Sequence, residues 1–212
     1  GVQTCALPIW EPLTWSDCVR DIAVTELPCN WLQCQENSLD PVHTEWLHAY
    51  FGNYVSQLKG EGGRRMGGSI GRAHKVIAFD DFEHGMIKRR MVEGDTGDEE
   101  DWTVGHPILF PNILLTGNQF SYTMQWRVPI DDHRTYHVSQ YIYPFAPGEA
   151  GPRQPHVPYR VVPLRENDGN WVLNYTFNQD YMAWFTQGSI AKRHLEKLGE
   201  SDRGIIQIGR AH

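Results

Sequence analysis

The chain has 212 residues, 40% hydrophobic and 21% charged, a balance that fits one folded domain and excludes a disordered chain. Lys+Arg 19 against Asp+Glu 26 gives a formal net charge of −7, which argues against nucleic acid or an anionic membrane surface as partner. No apolar run is long enough for a membrane span and none marks a secretory leader. Cys5, Cys18, Cys29 and Cys34 form neither a zinc spacing nor a disulfide framework, so a reducing cytoplasm is expected.

Both ends read as foreign. Residues 1–9 resemble a translated sequencing-library adaptor, and residues 208–212, Ile-Gly-Arg-Ala-His, resemble its opposite strand. Setting both aside as non-native tags leaves residues 10–207 as one domain and makes the reading frame a fragment truncated at both ends. The pentapeptide recurs at Ile70-Gly71-Arg72-Ala73-His74, where a junction and chance stay open.

Asn30 is placed to cap a helix, with Gln33 at the reciprocal capping-box position. Pro41 suits the first position of a second helical segment with Asp40 as its cap, so a break is expected there. Glycine-rich residues 60–72 read as a loop. Strand signals follow around 75–92, 107–116, 120–129 and 134–144, with loops at the acidic stretch 93–101 and at the Pro/Gly-rich stretch 146–158. A final helix is predicted from about 179 to 198, closed near Gly199. Helix, several antiparallel strands, then a long helix is an α+β pattern.

The chemistry concentrates in Asp40-Pro41-Val42-His43-Thr44-Glu45-Trp46-Leu47-His48 and in Asn178-Gln179-Asp180. Two imidazoles and one carboxylate, with other positions open, form the facial triad of non-haem Fe(II) oxygenases. His43 and His48 are five apart, which on an ideal helix leaves them roughly 140° out of phase. Both reach one ion only if the helix widens, bends or ends, and a π-bulge is the usual device. Two His plus an acid also suit catalytic zinc, although the His-Glu-x-x-His spacing is missing.

This block is similar to the ligand segment of the Rieske-type ring-hydroxylating oxygenases, alpha subunit, in the phthalate-dioxygenase-like branch. Further likeness runs through Asn30-Trp31-Leu32-Gln33, Phe79-Asp80-Asp81-Phe82-Glu83-His84-Gly85, and Val128-Pro129-Ile130-Asp131-Asp132-His133-Arg134-Thr135. It continues in Gln179-Asp180, Gln187-Gly188, Arg193, Glu196, Leu198-Gly199 and Ser201-Asp202-Arg203-Gly204-Ile205. The resemblance implies a helix-grip fold, a curved antiparallel sheet packed around the long C-terminal helix. It implies Fe(II) on His43, His48 and Asp180, and Asp40 as an electron-transfer bridge to the Rieske cluster of a neighbouring subunit. It also implies an aromatic substrate and O₂, a reductase or ferredoxin donor, and a homotrimer for the full-length protein.

The family's [2Fe–2S] motifs are missing, since no cysteine here is followed two or three positions later by His. The likeness therefore covers the catalytic domain, with the cluster expected only in the full-length protein. Two other readings are a metal-free helix-grip module that binds a hydrophobic molecule and a zinc hydrolase.

The remaining polar motifs read as structural. Asp131-Asp132 suits a turn, and His133, His137 and His156 are expected to be solvated. Trp31, Trp46, Trp126 and Trp184 are expected in core or pocket wall. Arg193 and Glu196 should form a surface ion pair on the last helix. The substrate cavity is expected to be chiefly apolar and aromatic, built from Ile108–Leu115, Met124–Val128 and Tyr181–Phe185.

Overall fold

The computed structural model describes residues 10–62, 70–118 and 121–211. The N-terminal tag, Cys5 and much of the glycine-rich loop lie outside them. In chain order come α1 (Glu11–Thr14), β1 (Cys18–Leu27) and α2 (Trp31–Leu39), then a π-helix (Thr44–Phe51) that runs directly into α3 (Gly52–Leu58). The strands follow: β2 (His74–Phe82), β3 (Gly85–Val92), then a short α4 (Glu100–Thr103), β4 (His106–Leu109) and β5 (Ile113–Asn118). After β6 (Ser121–Asp131), β7 (Arg134–Pro144) and β8 (Tyr159–Val161) the chain closes with α5 (Thr176–Thr186) and α6 (Arg203–Ala211).

The eight strands form one sheet in the order β2-β3-β4-β5-β6-β7-β1-β8. All pairings are antiparallel except β1 with β8. The expected strand regions become β2 to β7, whereas β1 has no counterpart in the sequence reading. Arg20 and Asp21 interrupt its apolar pattern, and pairing from Cys18↔Pro144 to Leu27↔Thr135 against β7 supplies what propensity lacks.

α2 bridges two hydrophobic clusters. Its Cys34 packs with Leu27, Cys29, Tyr181 and Trp184, while Leu39 packs with Met86, Ile108, Leu114 and Ile208. Ile208, in the tag-like pentapeptide, is thus fully buried on α6.

Helix α2 begins as expected, with the Asn30 side chain accepting from Leu32 N at 2.9 Å. Gln33 does not complete a capping box. It donates to Gly188 O at 3.1 Å and accepts from Ala191 N at 2.7 Å, tying α2 to the segment after α5.

The long final helix is the main correction. The helix starts at Thr176 and stops at Thr186, because Gly188 adopts φ 91° and takes the left-handed position that ends helices. Residues to 202 are irregular apart from two short 3₁₀ turns, and α6 is a separate helix. The Arg193–Glu196 pair forms at 2.8 Å, on a 3₁₀ turn, and Arg193 also reaches Glu36 at 2.7 Å.

Candidate metal centre

Leu39 is the last residue of α2, and Pro41 follows a cap residue that makes two separate contacts. Asp40 Oδ1 accepts from Val42 N at 2.8 Å, which caps the new segment. The Asp40 carbonyl meets His43 Nδ1 at 2.6 Å. A carbonyl only accepts, so Nδ1 carries the proton and Nε2 of the neutral ring is bare.

The segment then winds as a π-helix from Thr44 to Phe51, the irregularity that the five-residue spacing requires. Bonds from i to i+5 bring residues five apart round to one face, and the His43 and His48 rings lie with centroids 4.9 Å apart. His48 is 3% exposed, and its Nδ1 meets Gln179 Oε1 at 3.0 Å. Its Nε2 is likewise turned to the interior.

α5 brings Asp180 to both rings. Asp180 Oδ1 lies 3.3 Å from His48 Nε2 and 3.9 Å from His43 Nε2. The three side chains each offer a ligand atom, all within 4.8 Å of one another. Asp180 is 3% exposed, and Oδ1 is buried without a hydrogen-bond partner among the described residues. An orphaned carboxylate oxygen facing two imidazole Nε2 atoms fits a divalent cation, which would satisfy all three at once.

Electrostatics agree. Burial, then His48 and Lys88, holds His43 well below the usual imidazole range and keeps it neutral. Burial pushes Asp180 up to about 6, against the pull of His48 and Arg127.

A cavity of about 430 Å³ opens onto all three residues. The expected apolar and aromatic lining is there in part, with Leu114, Tyr141, Tyr143 and Phe177, but basic side chains not foreseen join it. These are Lys88, Arg90, Arg127 and His106, with Thr116, Thr123 and Gln125 between them. From α5 the wall comes from its first turns, Thr176, Phe177 and Asp180, because Tyr181 and Trp184 are buried in the core instead. A larger hollow, about 890 Å³, is lined by residues such as Phe82, Phe110 and Trp126 and touches none of the three.

The cations come from strand alternation. On β3, Met86, Lys88, Arg90 and Val92 are the buried set, so two basic side chains face inward beside two apolar ones. Arg90 is held by Asp101 at 3.0 Å and Thr44 Oγ1 at 3.0 Å. Arg127 is 1% exposed and donates to Gln35 at 3.3 Å and Gln125 at 2.8 Å. Burial lowers Lys88 to about 7, with Arg90 adding to the effect, and lowers Arg127 to about 10. The sequence reading included Arg127 only within the stretch Met124–Val128 and named neither Lys88, Arg90 nor His106. The signal was available in the parity that Lys88 and Arg90 share with Met86 and Val92.

Two expectations about single residues fail. His137 is not solvated but fully buried on the inner face of β7, in contact with Gln125 at 3.3 Å, Tyr181 OH at 3.2 Å and Ser139 at 3.4 Å. Trp46 is 61% exposed, because the π-helix turns it away from the face that carries His43 and His48. Trp184 is buried as expected, and Asp131 forms a turn, accepting from His133 N at 2.9 Å and Arg134 Nε at 2.8 Å.

No family model matches the chain. It is 40% identical over 205 residues to the 5,5'-dehydrodivanillate O-demethylase oxygenase subunit of a Sphingobium strain, covering 96% of this chain and 45% of that protein. It is 26% identical over 236 residues to the phthalate 4,5-dioxygenase oxygenase subunit of Pseudomonas putida, covering 97% and 53%. The chain thus spans about half the length of the curated relatives it matches.

Among solved structures, Pseudomonas putida CBB5 NdmA superposes with TM-score 0.52 at 12% identity, over 96% of this chain and 52% of that one. A carbazole-bound oxygenase variant in the ferredoxin complex of carbazole 1,9a-dioxygenase gives TM-score 0.52 at 16% identity, over 91% and 54%. At such identity these two likenesses speak to fold alone. The α+β architecture with its eight-stranded sheet is shared with these two solved proteins. Along nearly its whole length the chain is similar to the oxygenase subunits of an aromatic O-demethylase and of a phthalate dioxygenase.

Proposed function

We propose that the chain is the catalytic domain of a terminal oxygenase that holds Fe(II) on His43, His48 and Asp180. The single observation carrying this reading is the convergence of two imidazole Nε2 atoms on a buried, unpartnered Asp180 oxygen. Iron at such a site supplies O₂ activation for hydroxylation or oxidative demethylation of an aromatic ring, and the O-demethylase relative favours the second outcome.

The chain's own residues hold and orient. Asp40 and Gln179 fix the ring orientations through Nδ1, so that both Nε2 atoms stay available. The cavity in front of the triad receives the substrate, and its tyrosines and Phe177 give an aromatic wall. A metal-free module would leave the Asp180 oxygen buried and unsatisfied, a cost without return.

The finer reading comes from the resemblance: a helix-grip sheet closed over α5, and Asp40 passing electrons from a Rieske [2Fe–2S] cluster on a neighbouring subunit of a trimer. That cluster would lie in sequence outside residues 10–207, and a reductase or ferredoxin would charge it. We place the protein in the cytoplasm, and no helix among the described residues is long and apolar enough to cross a membrane. Metal analysis of anaerobically purified chain tests the proposal. Iron near one equivalent supports it, and stoichiometric zinc or no metal after Fe(II) loading overturns it.

A further inference from the structure

Lys88 stands apart from the other cations in the cavity. It is 5% exposed and lines the same space as His43, His48 and Asp180. Arg90 is tied to Asp101 and Thr44, Arg127 to Gln35 and Gln125, and His106 to Asp101 at 3.1 Å. The Lys88 ammonium has no hydrogen bond or ion pair among the described residues. Burial makes the charge of this amine costly, and an anion placed beside it would stabilise the ammonium form.

Strand geometry holds Lys88 in place. It sits in the middle of β3, opposite Phe79 on β2 and His106 on β4, so it cannot turn outward without breaking the register of three strands. Across the sheet, β7 presents Tyr141 and Tyr143 to the same cavity. Three strands separate β3 from β7, roughly 19 Å measured along the sheet. The same cavity therefore offers an amine with no bonded partner among the described residues and, from β7, aromatic rings.

We infer that Lys88 is the anchor for a carboxylate on an aromatic substrate, with the ring held toward Tyr141 and Tyr143. The inference rests on reading this cavity as the substrate chamber of the metal centre. The ammonium donates to the carboxylate, and Arg90 adds positive field without leaving its own partners. Lys88 is thus a specificity-determining residue, selecting charged aromatic acids over neutral rings of the same shape.

Titration calorimetry on the full chain decides it, using 3-methoxybenzoate and its neutral isostere 3-methoxybenzamide. The acid should bind the unmodified chain on the order of ten- to hundred-fold more tightly than the amide, as a charge-assisted bond allows. Lys88→Met should bring the acid down to the affinity of the amide and leave the amide unchanged, while Lys88→Arg should keep the preference. Lys88→Gln serves the same purpose if the Met variant does not fold, as judged by its thermal midpoint. Acetate, the charge without the ring, should not displace the acid at equal concentration; if it did, the aromatic part of the inference would fall.

Iron content measured on the same samples separates the two readings. A chain that holds iron and binds acid and amide equally overturns the anchor alone, as does a Met variant that keeps the preference. A Lys88-dependent preference in a chain that never takes up iron would leave the anchor standing and refute the metal centre.

Discussion

Gln179 offers a test of the metal centre that leaves every proposed ligand in place. Its Oε1 accepts from His48 Nδ1 at 3.0 Å, its Nε2 donates to Leu173 O at 3.3 Å, and the residue is 7% exposed. Gln179→Leu keeps the bulk and removes the acceptor. His48 is then left with a buried N–H and no partner, which costs about 1–3 kcal/mol. The ring can recover only by rotating or by moving its proton to Nε2, and either change spoils the nitrogen that faces Asp180.

Loss of such a supporting contact typically weakens metal binding about 10- to 100-fold. That factor corresponds to about 1.4–2.7 kcal/mol, the same range as the orphaned donor. The thermal midpoint of the metal-free chain should fall by roughly 2–12 °C. Gln179→Glu keeps an acceptor opposite His48 and should hold iron at least as well as the unmodified chain, sacrificing only the 3.3 Å bond to Leu173. Fe(II) affinity would be read anaerobically by competition with a chromogenic ferrous chelator. If Gln179→Leu bound iron within twofold of the unmodified chain while remaining folded, the claim that Gln179 sets the ring orientation would be wrong.

Other outcomes follow from the same contacts. His43→Ala should abolish iron retention after desalting rather than weaken it, because three protein ligands converge among the described residues; partial retention would point to a ligand outside the triad. His137 is buried and held well below the usual imidazole range by burial and by Arg127, so the unfolded chain takes up a proton below about pH 6.5 that the folded chain refuses. Stability should therefore fall as pH drops through that value, by at most about 1.4 kcal/mol per pH unit for this group. His137→Gln should flatten that limb in urea titrations, and an unchanged slope would count against the assignment. Finally, the chain with reductase, NADH, O₂ and an aromatic panel should give no product, and fusion to an upstream Rieske domain should restore it. Asp40→Asn in that fusion should slow turnover with iron still bound. NADH-dependent product from the chain alone would refute this division of labour.

What could be read in advance depended on whether the signal was local. The five-residue gap between His43 and His48 demanded a non-α winding, and the π-helix supplies it. The break at Asp40 and the turn at Asp131 follow from Pro41 and from a short acidic side chain bonding its own backbone. The end of α5 was equally local but was read too late, since Gly188, not Gly199, takes the left-handed position. Strand β1 and the buried state of His137 were not local. Each depends on a partner more than a hundred residues away or on the face a strand turns inward, as with Leu27 opposite Thr135 and the network around Gln125. The basic chamber was missed because Lys88 and Arg90 look like ordinary strand surface until parity with Met86 and Val92 is considered.

That basic chamber also bears on why the triad can work as ligands. Metal binding needs deprotonated groups, and Lys88 acts in the required direction on two of them, lowering both His43 and Asp180. The same field opposes the arrival of a divalent cation. Asp180 supplies one negative charge inside the chamber, and Asp101 is already engaged by Arg90 and His106. With Lys88 and Arg127 unneutralised, a cation at the triad would leave the cavity strongly positive. A carboxylate brought in by the substrate lowers that imbalance, so occupancy of the metal and of the Lys88 position should reinforce each other. Iron affinity measured with and without 3-methoxybenzoate would show this as a tighter Kd in the presence of the acid, and an unchanged or weaker Kd would mean that the two positions are not electrostatically linked.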